Sequence, residues 1–444
     1  MNTPICEFVS RYAESGTLRL HMPGHKGQPL LGCEARDITE IAGADSLFEA
    51  AGIIRESEQN AGTLFGAHTF YSTEGSSLAI RAMLYLACLI AKEQGRAPRI
   101  LAGRNAHKVF LSAAALLDFE VEWLYPAEGE SYLSCTVDPV VLERELREKQ
   151  PVAVYLTSPD YLGHVADVAA IAEVCHRYGA LLLVDNAHGA YLKFLPESRH
   201  PMDLGADLCC DSAHKTLPVL TGGAYLHIAH GAPAICINGA KTALSLFGST
   251  SPSYLILQSL DAANAYLAEG YRERLSAFLE KVKELKTTLQ AQGYSLEAEE
   301  PLKLTLATKC RGYTGQELAE ALRAQGIECE FADPDFVVLM LTPELGEEGL
   351  ARLEDALLSI PAQPAINELP PTFHKPERVL SPREALLSAA ETVAAGESAG
   401  RILATATVAC PPAVPLVVSG ERIDEAALQA FAYYGITTCT VVKD

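Results

Sequence analysis

No apolar stretch in this 444-residue chain reaches the about 20 residues that span a bilayer, so no membrane-crossing helix is expected. The start, Met1-Asn2-Thr3-Pro4-Ile5-Cys6-Glu7, lacks a basic segment leading into an apolar one, and no secretory leader is expected. Positive charge is scarce: 35 Lys plus Arg face 56 Asp plus Glu, a formal charge of −21. Such an excess of acid disfavours nucleic acid and anionic membranes as partners, and it suits cationic small molecules or plain solubility. The twelve cysteines stand singly apart from Cys209-Cys210, with no CxxC pair and no repeated spacing. They read as reduced thiols of a cytoplasmic protein, with neither a disulfide framework nor a metal site. Internal repeats and low-complexity tracts are missing as well. What remains is ordinary globular material, 49% hydrophobic and 20% charged. Its length corresponds to about three domains.

From about residue 60 to 260, short apolar runs alternate with helical stretches. Arg99-Ile100-Leu101-Ala102, Val152-Ala153-Val154-Tyr155-Leu156 and Leu181-Leu182-Leu183-Val184 read as strands buried on both faces. Between the last two, Asp167 to Gly179 has apolar residues at helical spacing and a glycine where a helix would stop. Strand, helix and strand joined by short loops predict a parallel crossover and an α/β sheet, with ligands beyond the carboxyl ends of the strands. A helical bridge, about 253–292, and a second αβ segment, about 302–360, follow; Phe336 to Leu341 is its clearest strand. Pro361, Pro364, Pro370 and Pro371 mark a linker. The last lobe is expected to hold a helix from Pro382 to about Ala395. The run Cys410-Pro411-Pro412-Ala413-Val414-Pro415-Leu416 cannot be a central strand, because proline breaks a hydrogen-bond ladder.

Four loops at strand ends carry reactive or anion-binding types. Ser72-Thr73-Glu74-Gly75-Ser76-Ser77 opens a helix expected over Leu78 to Leu89. Small residues and hydroxyls there suit a phosphate, or serve only as a cap. Arg104-Asn105-Ala106-His107-Lys108 offers an imidazole. Asp185 ends an apolar strand and is costly there unless something cationic meets it. In Asp211-Ser212-Ala213-His214-Lys215-Thr216, the lysine is a candidate amine for a carbonyl, since desolvation raises its nucleophilicity. Phosphate cradle, imidazole, acid for a pyridine nitrogen and amine for an aldehyde together make the set that pyridoxal phosphate requires.

With these loops in view, the chain resembles the Orn/Lys/Arg decarboxylases. The residues that carry the resemblance are His21-Met22-Pro23-Gly24-His25-Lys26, Leu64-Phe65-Gly66-Ala67, Gly75-Ser76-Ser77, Arg104 to Lys108, Ser158-Pro159-Asp160-Tyr161, Asp185-Asn186-Ala187-His188-Gly189 and Ser212-Ala213-His214-Lys215. Ser249 to Tyr254 and Pro411-Pro412…Pro415-Leu416…Gly420-Glu421 extend it over nearly the whole chain. The implied fold is the aspartate-aminotransferase-like α/β architecture of fold type I: a large domain with a mostly parallel sheet, a smaller α/β domain and a C-terminal domain. The implied boundaries are 1–55 for an N-terminal segment, 56–260 for the cofactor domain, 261–362 for the small domain and 363–444 for the C-terminal domain.

The resemblance implies pyridoxal 5'-phosphate as cofactor, no metal, a basic amino acid as substrate and a homodimer or larger homo-oligomer. Lys215 would bond to the cofactor aldehyde, Asp185 would keep the ring nitrogen protonated and His107 would stack on the ring. Gly75, Ser76, Ser77 and Ser212 would bind phosphate, with Thr250 reaching across from a second subunit. Ala187 and His188 would line the ring, and His214 would assist proton transfer. Asn186 stands where the family commonly has glutamate, Asp160 where threonine is common and Glu74 where asparagine is common. Gly222-Gly223 and Ala413 also depart from the pattern. These changes spare Lys215, Asp185 and His107 and leave the substrate open among arginine, lysine and ornithine. Glu74 or Asp160 could meet a distal cation or simply be loop acids. The chain also resembles the shorter, biosynthetic-type members, without a receiver-like N-terminal domain. Rival readings on the same fold are an aminotransferase, for which Arg311 would be the carboxylate clamp to check, a carbon–sulfur lyase, or an inactive cofactor-binding homologue.

Overall fold

A computed structural model describes residues 1–126, 132, 136–410 and 414–443. In chain order the first elements are α1 Pro4–Glu14, α2 Ile53–Phe65, β1 His68–Ser72, α3 Gly75–Glu93, β2 Arg99–Gly103, α4 Lys108–Leu117 and β3 Glu120–Leu124. Next come α5 Pro139–Lys149, β4 Ala153–Thr157, α6 Val168–Arg177, β5 Leu181–Asp185, β6 Leu208–Asp211, α7 Ala213–Thr216 and β7 Ala224–Ile228. The helices α8 Ala234–Ser245, α9 Tyr254–Ala268 and α10 Tyr271–Ala291 precede β8 Ser295–Glu297, β9 Lys303–Ala307, α11 Gly315–Arg323, β10 Phe331–Ala332, β11 Phe336–Met340 and α12 Gly346–Ser359. The chain ends with α13 Pro382–Leu387, β12 Ala390–Ala394, β13 Thr407–Cys410, β14 Val414–Val418, α14 Glu425–Tyr433 and β15 Thr438–Val442. The expected strands at residues 99, 152, 181 and 336 are all present within one or two residues of their expected bounds, and the loop at Asp211 follows a strand, as expected of a loop at a strand end.

Two compact units divide these elements: Met1–Gly95 with Val168–Arg274, and Arg96–Asp167 with Leu275–Asp444. In the first, the strand order is β1-β7-β6-β5. β5 and β6 run parallel, whereas β7 is antiparallel to both of its neighbours. All four residues of β6 and all five of β7 are buried, as a strand covered on both faces requires. α3 packs against this sheet and against α8. It is apolar nearly all round, with eleven buried residues, which is the pattern of a core helix. By length and composition α3 could cross a membrane, yet 61% of its most apolar window is buried inside the fold. The helix begins at Gly75 and ends at Glu93, longer at both ends than the sequence reading. The early start is possible because Gly75 adopts φ +70°, a left-handed backbone open to glycine.

In the second unit β4-β2-β3 pair in parallel, so the strand pairing in the large α/β fold is mostly parallel. β10-β11-β9-β8 form a separate antiparallel sheet. Two small ribbons, β12 with β15 and β13 with β14, accompany α14. Leu403, Leu416, Val417, Ile423, Phe431 and Val441 make up the core there. The linker after α12 forms no regular element, but it is tied down: Gln363 N–H donates to the Arg311 carbonyl and Ile366 N–H to that of Lys309.

One expected element is corrected. The helix from Pro382 stops at Leu387, and Ala390–Ala394 is a strand paired antiparallel with Thr438–Val442. Ser381 and Glu384 form a reciprocal capping box that starts the helix. Ser388 then turns extended, and the β-branched Thr392 and Val393 suit a ribbon better than another helical turn. Pro415 lies in β14, one of only two strands in its ribbon, where an unpaired side can accept a proline. Pro411, Pro412 and Ala413 lie outside the described residues.

Candidate active site

The site in the first unit is built where β5 and β6 end side by side, with Asp185 opposite Cys210 in the parallel register. Asp185 is only 2% exposed. Its Oδ1 accepts from the Ala187 amide at 3.2 Å and from the Cys210 thiol at 3.6 Å. Beyond β6, Ser212 leads into the single turn of α7, where the Lys215 amide donates to the Ser212 carbonyl. Lys215 Nζ lies 3.1 Å from His188 Nε2. A loop of four residues after Asp185 thus returns an imidazole to the amine on the neighbouring strand end.

His214 points elsewhere. Its Nδ1 lies 2.9 Å from the Gly223 carbonyl, which can only accept, so Nδ1 carries the proton. Burial lowers the His214 pKa; the bond to Gly223 opposes the shift and the charge of Lys215 adds to it. A neutral His214 therefore keeps a lone pair on Nε2.

Ser212 Oγ donates to Ser76 Oγ at 2.8 Å, joining the end of β6 to the first turn of α3. Gly75 N–H is bound by the Gly222 carbonyl at 2.7 Å. No side chain caps the nineteen-residue α3, since the Glu74 carboxylate accepts from the Ser249 amide instead. An uncapped N-terminus of that length with hydroxyls at Ser76, Ser77 and Ser212 has the donor set and positive dipole end for a phosphate. Gly222 also has a backbone reason to be glycine: φ is +99°, and a Cβ would come within 2.9 Å of the Thr73 carbonyl.

The structure thus brings together Gly75, Ser76, Asp185, Ala187, His188, Ser212, His214 and Lys215 around two strand ends and one helix start. Ser77 follows in the first turn of α3, and Thr250 is exposed on the loop that Glu74 pins. His107 belongs to the second unit. It caps α4, its Nδ1 accepting from the Val109 amide at 3.3 Å.

Two acids singled out in the sequence are engaged locally. Asp160 is 4% exposed and accepts from the Gly163 and His164 amides and from His164 Nδ1, all within 2.9 Å. It organises its own loop, and this hydrogen bond raises the His164 pKa. Glu74 is held at Ser249. Arg311 donates to the Gln292 and Ile360 carbonyls and lies over the Tyr294 ring at 4.0 Å. A further cluster, Asp211 with His200 and His227, escaped the sequence reading. The histidines lie 11 residues before and 16 after the aspartate and meet it only through the fold.

Residues 3–300 match the Orn/Lys/Arg decarboxylase major domain, and residues 367–440 match the C-terminal domain of the same family. The uncharacterized protein YaaO of Bacillus subtilis is 34% identical, the alignment covering 97% of this chain and 93% of that one. Arginine decarboxylase of Bacillus subtilis is 29% identical, over 95% of this chain and 91% of the other. Among solved structures, lysine decarboxylase LdcF of Francisella novicida superposes with a TM-score of 0.79 at 16% identity, covering 99% of this chain and 81% of that one. The last likeness shows the shared fold. The two domain matches, in order and spanning most of the sequence, carry the assignment: this chain belongs to the Orn/Lys/Arg decarboxylases, pyridoxal-phosphate-dependent enzymes that decarboxylate basic amino acids.

Proposed function

We propose that the chain binds pyridoxal 5'-phosphate covalently at Lys215 and decarboxylates arginine, lysine or ornithine, releasing CO2 and the corresponding polyamine-pathway amine in the cytoplasm. The observation that carries this is the amine of Lys215 held beside His188, next to a strand end whose last residue is the buried Asp185. The donor set fits the cofactor. Ser76, Ser77, Ser212 and the amides opening α3 would hold its phosphate, Asp185 would hold a proton on its ring nitrogen, and the small Ala187 would leave room for its ring. His107 would stack on the ring's other face, and Thr250 of one subunit would complete the phosphate site of another.

When bound, the cofactor supplies the electron sink into which the Cα–carboxylate bonding pair is drawn. Every other role falls to side chains. The Asp185 carboxylate, buried from water, would favour positive charge on a ring nitrogen held against it. Lys215 Nζ accepts and returns protons, and His188 Nε2 keeps it oriented. His214, neutral at neutral pH with its proton on Nδ1, can relay a proton only through Nε2, taking one up there before passing it on. Arg311, the clamp that an aminotransferase would need, donates one bond to each of two carbonyls and lies over the Tyr294 ring, with its Nε unpartnered.

The test is CO2 release from arginine, lysine and ornithine by the cofactor-loaded protein. Release from at least one of the three, with no amino-group transfer to a keto acid, is the expected result. Transfer without CO2 would favour the aminotransferase, and neither reaction, with cofactor bound, the inactive homologue.

The division at residues 55, 260 and 362 and the homodimer form part of the same proposal. Leu18, Leu20, Leu30 and Leu31 are each at least 79% exposed in the segment before α2. Four large aliphatic side chains facing water so close in sequence suit a surface covered by a second copy. Replacing all four by serine is expected to shift the protein toward monomer in sedimentation and to lower its cofactor content. A wild-type protein that sediments as a monomer at micromolar concentration would contradict the dimer.

A further inference from the structure

Behind the site lies a carboxylate that none of the roles above uses. Asp211, the last residue of β6, is fully buried. Its Oδ2 meets His200 Nε2 at 2.9 Å and His227 Nε2 at 3.1 Å, both rings being fully buried. The Met202 amide donates to His200 Nδ1, which leaves the proton on Nε2. Thr69 Oγ1 lies 2.9 Å from His227 Nδ1 and can donate there, giving the same tautomer. Two neutral imidazoles thus donate to one oxygen, and Phe65 closes the cluster with its ring 4.5 Å from that of His227. Burial lowers the His227 pKa, which agrees with a neutral ring. His200, Cys209 and Asp211 also bring metal-ligand atom types within 4.8 Å of one another, but hydrogen bonds already occupy the imidazole nitrogens.

The other oxygen points toward the active site. Asp211 Oδ1 accepts from Asn186 Nδ2 at 2.7 Å. Asn186 is fully buried and is the residue between Asp185 and the turn carrying Ala187 and His188. Its amide donates to the Cys210 carbonyl at 3.0 Å, and its carbonyl accepts from Gly189 at 2.8 Å. Backbone and side chain therefore fix this one residue to the end of β6. The two groups on either side of it are Asp185 and the His188 that touches Lys215. Position 189 must be glycine beside it, since a Cβ there would lie 1.9 Å from Asn186 Oδ1.

We propose that Asp211 is a positioning residue: anchored by His200 and His227, it grips Asn186 and so sets Asp185 and His188 in register with Lys215. The inference rests on the cofactor reading above. Asp211 touches neither substrate nor cofactor in this role. Its charge strengthens the grip, since a hydrogen bond to a buried carboxylate is stronger than one between neutral groups. The arrangement also accounts for Asn186 where the family commonly has an acid. Asp211 supplies the negative charge, and an acid at 186 would set two carboxylates within hydrogen-bonding distance of each other.

Donor counting defines the test. In D211N the new amide keeps its oxygen toward the two imidazoles and turns its NH2 at Asn186, which must then rotate its own amide to offer the otherwise unpartnered Oδ1, so the charge at 211 is lost and the Asn186 NH2 is left buried without its acceptor. N186A removes the grip while leaving both histidine bonds intact, and it serves even if D211N folds poorly. The exchange N186D/D211N restores a charge-assisted bond between the two positions: the amide at 211 keeps its oxygen toward the imidazoles and donates to the carboxylate at 186.

The readouts are the dissociation constant of pyridoxal phosphate from fluorescence titration of apoprotein and the absorbance of the bound cofactor. N186A and D211N are expected to weaken cofactor binding about tenfold or more, the scale of one lost charge-assisted hydrogen bond, and to shift the absorbance band. The exchange should recover most of the affinity and the wild-type band. Wild-type affinity and band in N186A, or an exchanged pair no better than D211N alone, would overturn the proposal. If wild-type protein binds no cofactor, the underlying cofactor reading fails instead.

Discussion

Lys215→Ala purified with pyridoxal phosphate is expected to lose the long-wavelength absorbance of a covalently held cofactor and at least about a thousandfold of its CO2 release. A large loss is expected because the proposal makes one side chain both covalent anchor and proton carrier. His188 is within hydrogen-bonding distance of the amine but cannot replace it, since an imidazole in this position offers no primary amine. The phosphate cradle proposed at Ser76, Ser212 and the start of α3 is untouched by the change, so on that reading the variant should still bind the cofactor without the covalent bond. Retention of the absorbance band in the alanine variant would place the covalent link on another lysine. Added methylamine, a small free amine, should restore part of the CO2 release in the variant if the missing group is the Lys215 amine.

The second large effect is on stability. Arg104 and Glu421 form an ion pair at 2.8 Å with side chains 2% and 1% exposed. Arg104 also donates to the Pro415 and Leu416 carbonyls, and Glu421 accepts from the Val418 amide. The Trp123 ring lies 5.4 Å from the guanidinium. Burial pushes the Glu421 pKa up, and Arg104 opposes the shift. Glu421→Gln leaves a buried guanidinium without its counter-charge, a change that costs about 3–5 kcal/mol. The expected result is a lower urea midpoint for the variant. Replacing both partners by methionine should cost less than Glu421→Gln, because no charge is then left unpaired. An unchanged midpoint in the single variant would show that water reaches the pair. Arg104 also stands three residues before His107, the residue proposed to stack on the cofactor ring.

How far the sequence exposes this architecture depends on how local the signal is. Leu181 to Val184 and Leu208 to Cys210 are short apolar runs that read as buried strands, so Asp185 and Ser212 to Lys215 fall at strand ends without coordinates. The region 385–394 is rich in alanine, which suits helix and tolerates strand. There the pairing with Thr438–Val442, about 50 residues away, decides against helix. The start of α3 was misplaced because Gly75 reads as a loop residue, yet at φ +70° it is the residue that opens the helix. Asp160, Glu74 and Arg311 are left open by sequence for a different reason. Each has the chemistry of a substrate contact, and each is engaged by its own neighbourhood in ways that residue type does not reveal. The Asp211 cluster was hidden for a related reason: β7 and the segment after β5 bring their histidines to it from separate stretches of chain.

The sharpest test of the central claim is borohydride reduction of the cofactor-loaded wild-type protein followed by peptide mapping. A pyridoxyl mass on the peptide containing Lys215, and on no other, is the result this account requires. The same mass on a different lysine, or none on any peptide despite bound cofactor, would contradict it.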